Sequence, residues 1–188
     1  MSMQEEFYSE LLERFRKIVE DNNLLEQEII ITGRALSTEE AIGKPKRQDF
    51  PIIKGKEKLM QAEFKGAKGQ AFTDMAGNFK GTLQQVLNMP LTNNFDRALL
   101  VSSMNAVCRY LGLIDRTVHC HDEQPEQCAA ELVEQIKRDF GTPRVALIGY
   151  QPAMLEKLAA SFQLRVVDLD PDNIGKIKSG VQVEGYEA

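Results

Sequence analysis

A chain of 188 residues, 43% hydrophobic and 27% charged, has the composition of an ordinary globular protein and the length for one large domain or two small ones. No apolar run approaches the roughly 20 residues needed to cross a bilayer, and the acidic start, Met1-Ser-Met-Gln-Glu-Glu-Phe-Tyr8, lacks the apolar core of a secretory signal. Three cysteines in a chain this long do not make a disulfide scaffold, so a cytoplasmic protein without a membrane partner is expected.

The net charge of −5 hides an asymmetry: residues 1–40 hold ten acids against four bases, whereas 44–68 hold eight bases against three acids. A basic stretch can mark nucleic-acid binding. Here the acidic total and the scarcity of aromatic residues within the stretch speak for a solvated face instead.

In chain order, Phe7, Leu11, Phe15, Ile18 and Val19 recur at helical spacing and predict a helix over 3–20, with Ser2-x-x-Glu5 as its capping box. Glu28-Ile-Ile-Ile-Thr32 is β-branched and reads as a strand. From 34 to 73 glycines and prolines interrupt the pattern, which predicts small antiparallel strands with apolar pieces at Ile52–Ile53, Leu59–Phe64 and Ala71–Phe72. A helical turn at Thr82–Leu87 ends before Pro90. Asn93 or Asn94 then caps a helix that is apolar on most sides through Leu111, the pattern of a buried helix. Cys108 lies on its apolar face as a core hydrophobe. Asn105, polar in that setting, is either a bridge between segments or a site residue.

Both histidines of the chain, His119 and His121, and two of its three cysteines, Cys120 and Cys128, fall within ten residues. On a strand His119 and His121 would face one side and Cys120 the other, so one strand cannot offer all three to a single ion. Cys120 with Cys128, or the two histidines together, are the workable sets. Soft ligands of this kind favour zinc, copper(I) or nickel. The spacing matches no standard structural zinc pattern. Cys128, close to a helix N-terminus, is also a candidate nucleophile.

The helix from Pro125 to Phe140 feeds Arg144-Val-Ala-Leu-Ile-Gly149, an apolar run that predicts a strand buried on both faces. Pro152 opens the next helix, and Arg165-Val-Val-Asp-Leu-Asp170 is a second such strand. This is a βαβ unit, whose ligands bind beyond the strand ends, at Gly149–Pro152 and Asp168–Asn173. Only Gly149 stands where a dinucleotide fingerprint would have three glycines, so NAD is not an expected cofactor. After Asp170 only a helical turn, a basic link and a stub strand at Val181–Val183 follow. A sheet of two or three parallel strands cannot cover both its faces, so either other strands join it, or a longer protein continues it, or a second subunit completes it, and a homo-oligomer is expected.

A set of short motifs, Ala71-Phe-Thr-Asp-x-x-Gly-x-Phe79, Pro90-Leu-x-x-Asn94, Asn105-Ala106, Leu111-Gly112, Thr117-Val-His-Cys120, Pro125-x-x-Cys128, Ile148-Gly-x-Gln-Pro152 and Asp168-x-Asp-x-x-Asn-Ile-Gly175, occurs in one order. Together they resemble the bacterial and archaeal heavy-metal chelation family, from about residue 33 to Val183. The resemblance implies an enolase N-terminal-like α+β domain over 1–92 and a partial Rossmann-like domain with its preceding helices over 93–188. It further implies a cleft between them bordered by His119, Cys120 and Cys128 as metal ligands. Gly149, Gln151, Asp168, Asp170 and Asn173 border the same cleft. His121 matches no family position, and family members carry further strands and helices after the segment matching Val183. The expected function is therefore binding of a transition metal or small ligand. The rivals are an enzyme acting on a nucleotide-like or phosphorylated molecule at the strand ends, and an assembly module.

Overall fold

The computed structural model describes residues 3–32, 36–55 and 57–187. The capping box expected at Ser2 lies outside them. The fold is mixed α/β, in two compact units: Met1–Ile42 with Pro51–His119, and Gly43–Phe50 with Cys120–Ala188. The boundary expected at 92/93 falls inside the first unit, because the helix after it packs on the N-terminal sheet.

The described residues of the first unit form α1 (Met3–Asp21), β1 (Glu28–Thr32), α2 (Thr38–Ile42), β2 (Lys58–Phe64), β3 (Ala67–Thr73), β4 (Phe79–Thr82), α3 (Leu83–Leu87) and α4 (Asn94–Tyr110). The strands pair antiparallel in the order β3-β2-β1-β4. Lys65 and Gly66, both at positive φ, make the two-residue turn that sets the β2–β3 register. Ile52 and Ile53, expected in a strand, sit in consecutive turns: Lys54 N–H donates to the Pro51 carbonyl and Gly55 N–H to that of Ile52. Pro51 and the positive φ of Gly55 favour that bend over extension.

Side-chain caps start three helices among the described residues of this unit: ahead of α2, Ser37 Oγ accepts the Glu40 N–H while the Glu40 carboxylate accepts the Ser37 N–H. Thr82 accepts the Gln85 N–H while Gln85 reaches back to the Thr82 N–H, and Asn93 accepts the Asp96 N–H. Helix α4 lies so close to the sheet that a Cβ on Gly69 would overlap the Ala106 nitrogen and Ser102 carbonyl. The core beneath joins Phe15 and Val19 of α1, Met60 and Phe64 of β2, and Leu99 and Val107 of α4. Each such side chain stabilises by about 1.5–3 kcal/mol on burial.

The second unit contains α5 (Gln124–Phe140), β5 (Arg144–Ile148), α6 (Pro152–Ser161), β6 (Gln163–Val167), β7 (Ile177–Lys178) and β8 (Val181–Glu184). The sheet order is β5-β6-β8-β7, with β5/β6 and β6/β8 parallel and β7/β8 an antiparallel hairpin. That hairpin falls where only a basic link and a stub strand are legible in the sequence. Its turn, Ser179-Gly180, takes positive φ at both residues.

The strands of this sheet are not buried on both faces as expected. Val145, Leu147, Val166 and Val183 point into a core with Val133 of α5 and Leu155 and Leu158 of α6. The opposite face carries Ala146, Arg165 and Gln182, all exposed, and Ile148, which is 81% exposed. An apolar run records that both residue parities are apolar, not that both are covered; here helices cover one. On the open side Arg165 pairs with Glu184 of β8 at 2.7 Å.

Candidate functional site

The sulfur atoms of Cys120 and Cys128 lie 3.6 Å apart, and both residues are half-buried. The local sequence explains the approach. Cys120 precedes a tight turn in which Gln124 N–H donates to the His121 carbonyl (3.0 Å) and His121 N–H to Gln124 Oε1 (2.8 Å). Asp122 takes a φ of 55° to complete it; among non-glycine residues aspartate is one of the few at ease in that region. Pro125 then sits in the first turn of α5, where its missing N–H is no loss. The chain thus folds back so that Cys120 meets Cys128, eight residues on. Ala129 and Val133, both buried, hold that helix against its unit.

The turn is braced by the segment 43–50. Asp122 Oδ1 accepts the Lys44 N–H at 2.8 Å, and a Cβ on Gly43 would collide with that same carboxylate. Lys46 pairs with Glu123, at the cap of α5. Arg47 pairs with Asp49 and with Glu156 of α6, each at 2.8 Å. The Arg47 hydrogen bond and charge hold the Glu156 carboxyl below the usual carboxylate range. Burial, with the Asp49 charge beside it, pushes the Tyr150 phenol up. Bases that read as a solvated or anion-binding stretch are in part tied to acids of their own unit. This brace escaped the sequence reading, because Lys44 and Asp122 are 78 residues apart and no local pattern joins them.

His119 and Cys120 fall on opposite sides of the unit boundary. In the first unit the His119 ring stands edge-on to Phe72, with centroids 5.2 Å apart, and the backbone N–H of His119 donates to Gln70 Oε1 at 2.7 Å. The segment 117–120 forms no strand, although it is pinned to the β3 edge. Gln70 N–H donates to the Thr117 carbonyl, and Thr117 Oγ1 to the Lys68 carbonyl at 2.6 Å. Asn105 donates from Nδ2 to the Gln70 carbonyl at 3.0 Å, a bond that ties α4 to β3. Cys108 is 8% exposed, and burial pushes its thiol up.

The strand-end residues form a loop of their own. Asp168 Oδ1 accepts the N–H groups of Leu169 and Asp170, and its Oδ2 accepts Asn173 Nδ2 at 2.7 Å. Asp170 Oδ1 accepts the Asp172 N–H at 2.9 Å. Both acids thereby cap the turn that follows β6, and Asn173 is buried by it. Gly149, at a φ of 88°, donates to the Val167 carbonyl. Gln151 is the exposed cap of α6 and makes no side-chain bond to it.

A pocket of about 440 Å³ in the first unit includes Tyr8, Phe72, Asp74, Asn94 and Arg97 in its lining. There the 71–79 and 90–94 motifs meet: Asn94 Nδ2 donates to Asp74 Oδ1 at 2.9 Å, and the Arg97 guanidinium lies over the Tyr8 ring.

Among the described residues, no group of three or more histidine, cysteine, aspartate or glutamate side chains is gathered to hold a metal, and no helix is long and apolar enough to cross a membrane. No family model matches the chain, and no curated protein matches it. Among solved structures, the chain is similar to a protein of unknown function of the DUF364 family from Pyrococcus horikoshii, with a TM-score of 0.48 and 18% identity over 86% of this chain. The matched part spans 58% of that protein's chain.

Proposed function

We propose that this protein binds a soft transition-metal ion through the thiolates of Cys120 and Cys128, as cargo rather than as a structural part. The reading is supported by one distance. Two thiolates bonded to a tetrahedral metal at about 2.3 Å stand about 3.8 Å apart, and the sulfurs here are at 3.6 Å. A bite of that width suits zinc, whereas a linear two-coordinate ion would need the sulfurs about 4.5 Å apart at similar bond lengths. The second-unit brace of Gly43, Lys44 and Asp122 supports it too, since it holds the turn that carries one ligand.

Two thiolates leave half of a tetrahedron to other donors. The site of this proposal is therefore open, filled out by water, by a small thiol or by the molecule that delivers or accepts the ion. That fits handling of metal better than permanent retention, in keeping with the resemblance to the heavy-metal chelation family. In the same proposal the first unit is the enolase N-terminal-like domain of that family and the second its partial Rossmann-like domain. His119, whose ring edge meets Phe72 in the first unit, is not one of the ligands in this reading.

The test is a titration of the reduced, metal-free chain with cobalt(II). The expected result is a thiolate-to-cobalt charge-transfer band saturating at one ion per chain, displaced by zinc and absent from Cys128→Ser. A titration without such a band in the wild type refutes the proposal.

A further inference from the structure

We infer that Cys120 and Cys128 are also a reversible dithiol–disulfide couple, oxidised by low-molecular-weight disulfides. The two sulfurs need to close from 3.6 Å to the roughly 2.05 Å of a disulfide. Cys120 sits in a loop and not on a second rigid element, so rotation about its side-chain bonds and a small shift of the turn can supply that movement. With seven residues between them, loop closure costs little entropy, and each thiol meets the other at high effective concentration. Neither is sealed in a core, unlike Cys108.

The chemistry is two exchanges. One of the thiolates attacks a sulfur of the oxidant RSSR, forming a protein–SR mixed disulfide and expelling one thiolate RS⁻. The other cysteine thiolate then attacks the protein sulfur of that mixed disulfide and expels the second RS⁻. Two cysteine thiols are oxidised, one RSSR is reduced to two RSH, and the two thiol protons go to the departing thiolates.

The consequence for function rests on the metal proposal above: the sulfurs that would hold the ion are those the disulfide consumes. Oxidation then empties the site and reduction restores it. A disulfide would also tie the loop at 120–123 to α5, stiffening the turn that Asp122 and Lys44 already brace.

The experiment uses the full chain, reduced and metal-free in the presence of a chelator, equilibrated with glutathione buffers of rising GSSG to GSH ratio. Acid quenching, alkylation and mass spectrometry then read the products. The expected product is a species about two mass units lighter than the dithiol, with Cys120 and Cys128 joined in one cross-linked peptide and Cys108 alkylated only after unfolding. Cys128→Ser should stop at a glutathione adduct on Cys120, and Cys108→Ala should form the disulfide as the wild type does. A wild-type chain that stays dithiol across the series, or that stops at the glutathione adduct, overturns the inference. Because the assay contains no metal, its outcome is independent of the metal proposal. A second arm with zinc at ten times its dissociation constant should slow oxidation about tenfold. Disulfide formation with no zinc protection would sink the metal proposal and leave the redox couple standing.

Discussion

Asp122 Oδ1 accepts the backbone N–H of Lys44 at 2.8 Å, and the glycine before Lys44 has no room for a side chain beside that carboxylate. The contact fastens the turn between Cys120 and α5 to a segment 78 residues earlier. Asp122→Ala should therefore cost about 1 kcal/mol of stability and loosen the turn. In the cobalt titration it should weaken affinity several-fold without changing the stoichiometry. Unchanged affinity with the expected loss of stability would show that the brace does not serve the thiol pair.

Gly69→Ala tests the close seat of α4 on β3. Its new methyl group would meet backbone atoms of Ala106 and Ser102, which cannot move aside as side chains can. Overpacking of this kind costs about 1–3 kcal/mol, and chemical denaturation should register it as a lower midpoint with an unchanged slope. A neutral result would mean that helix and strand separate more easily than the buried core beneath them suggests.

The Arg47–Glu156 pair gives the brace a pH dependence. Arg47 lowers the Glu156 carboxyl below its ordinary value, so the folded state binds the proton more weakly than the unfolded chain. The stabilisation is fully present above the ordinary glutamate range, about pH 4.3, and is lost as pH falls through the lower folded value. Both side chains keep access to solvent, so the effect on global stability is small. It should appear as an NMR titration of the Glu156 carboxyl displaced to lower pH, returning toward the ordinary value in Arg47→Gln. An undisplaced titration in the wild type would remove the pair from the account.

Thiol reactivity should rank with burial. Cys120 and Cys128 are expected to react with iodoacetamide in the native protein, while Cys108 reacts at least tenfold more slowly, its thiol being buried and pushed up by that burial. Tryptic mapping after brief alkylation measures the ratio. Early labelling of Cys108 would contradict the placement of its side chain inside the first unit.

Much of the fold was legible in the sequence because its signals are local. The periodicity of Phe15 and Val19, the cap at Asn93, the β-branched run at 28–32 and Pro152 at the head of α6 each act over a few residues. They match the helices and strands observed. Other features were not legible because their causes are distant. Nothing near Ile148 tells whether a second layer of helices covers it; its exposure depends on what else packs on the sheet. The same holds for the membership of α4, which looks like a lead-in to the second half but is fixed to the first by the absence of a side chain at Gly69. At the site, the clustering of Cys120 and Cys128 was visible as spacing. That oxygens of Asp168 and Asp170 accept bonds from the turn after β6 was not, since no local pattern marks an acid that folds back on its own loop.

The central claim is that the two thiolates at 3.6 Å hold one metal ion, and zinc binding to the reduced chain by isothermal calorimetry tests it most directly. The account predicts one zinc per chain with release of thiol protons, and loss of that binding in both Cys120→Ser and Cys128→Ser while His119→Ala and His121→Ala retain it. Zinc binding that survives the loss of either cysteine, or no binding to the wild type, would contradict it.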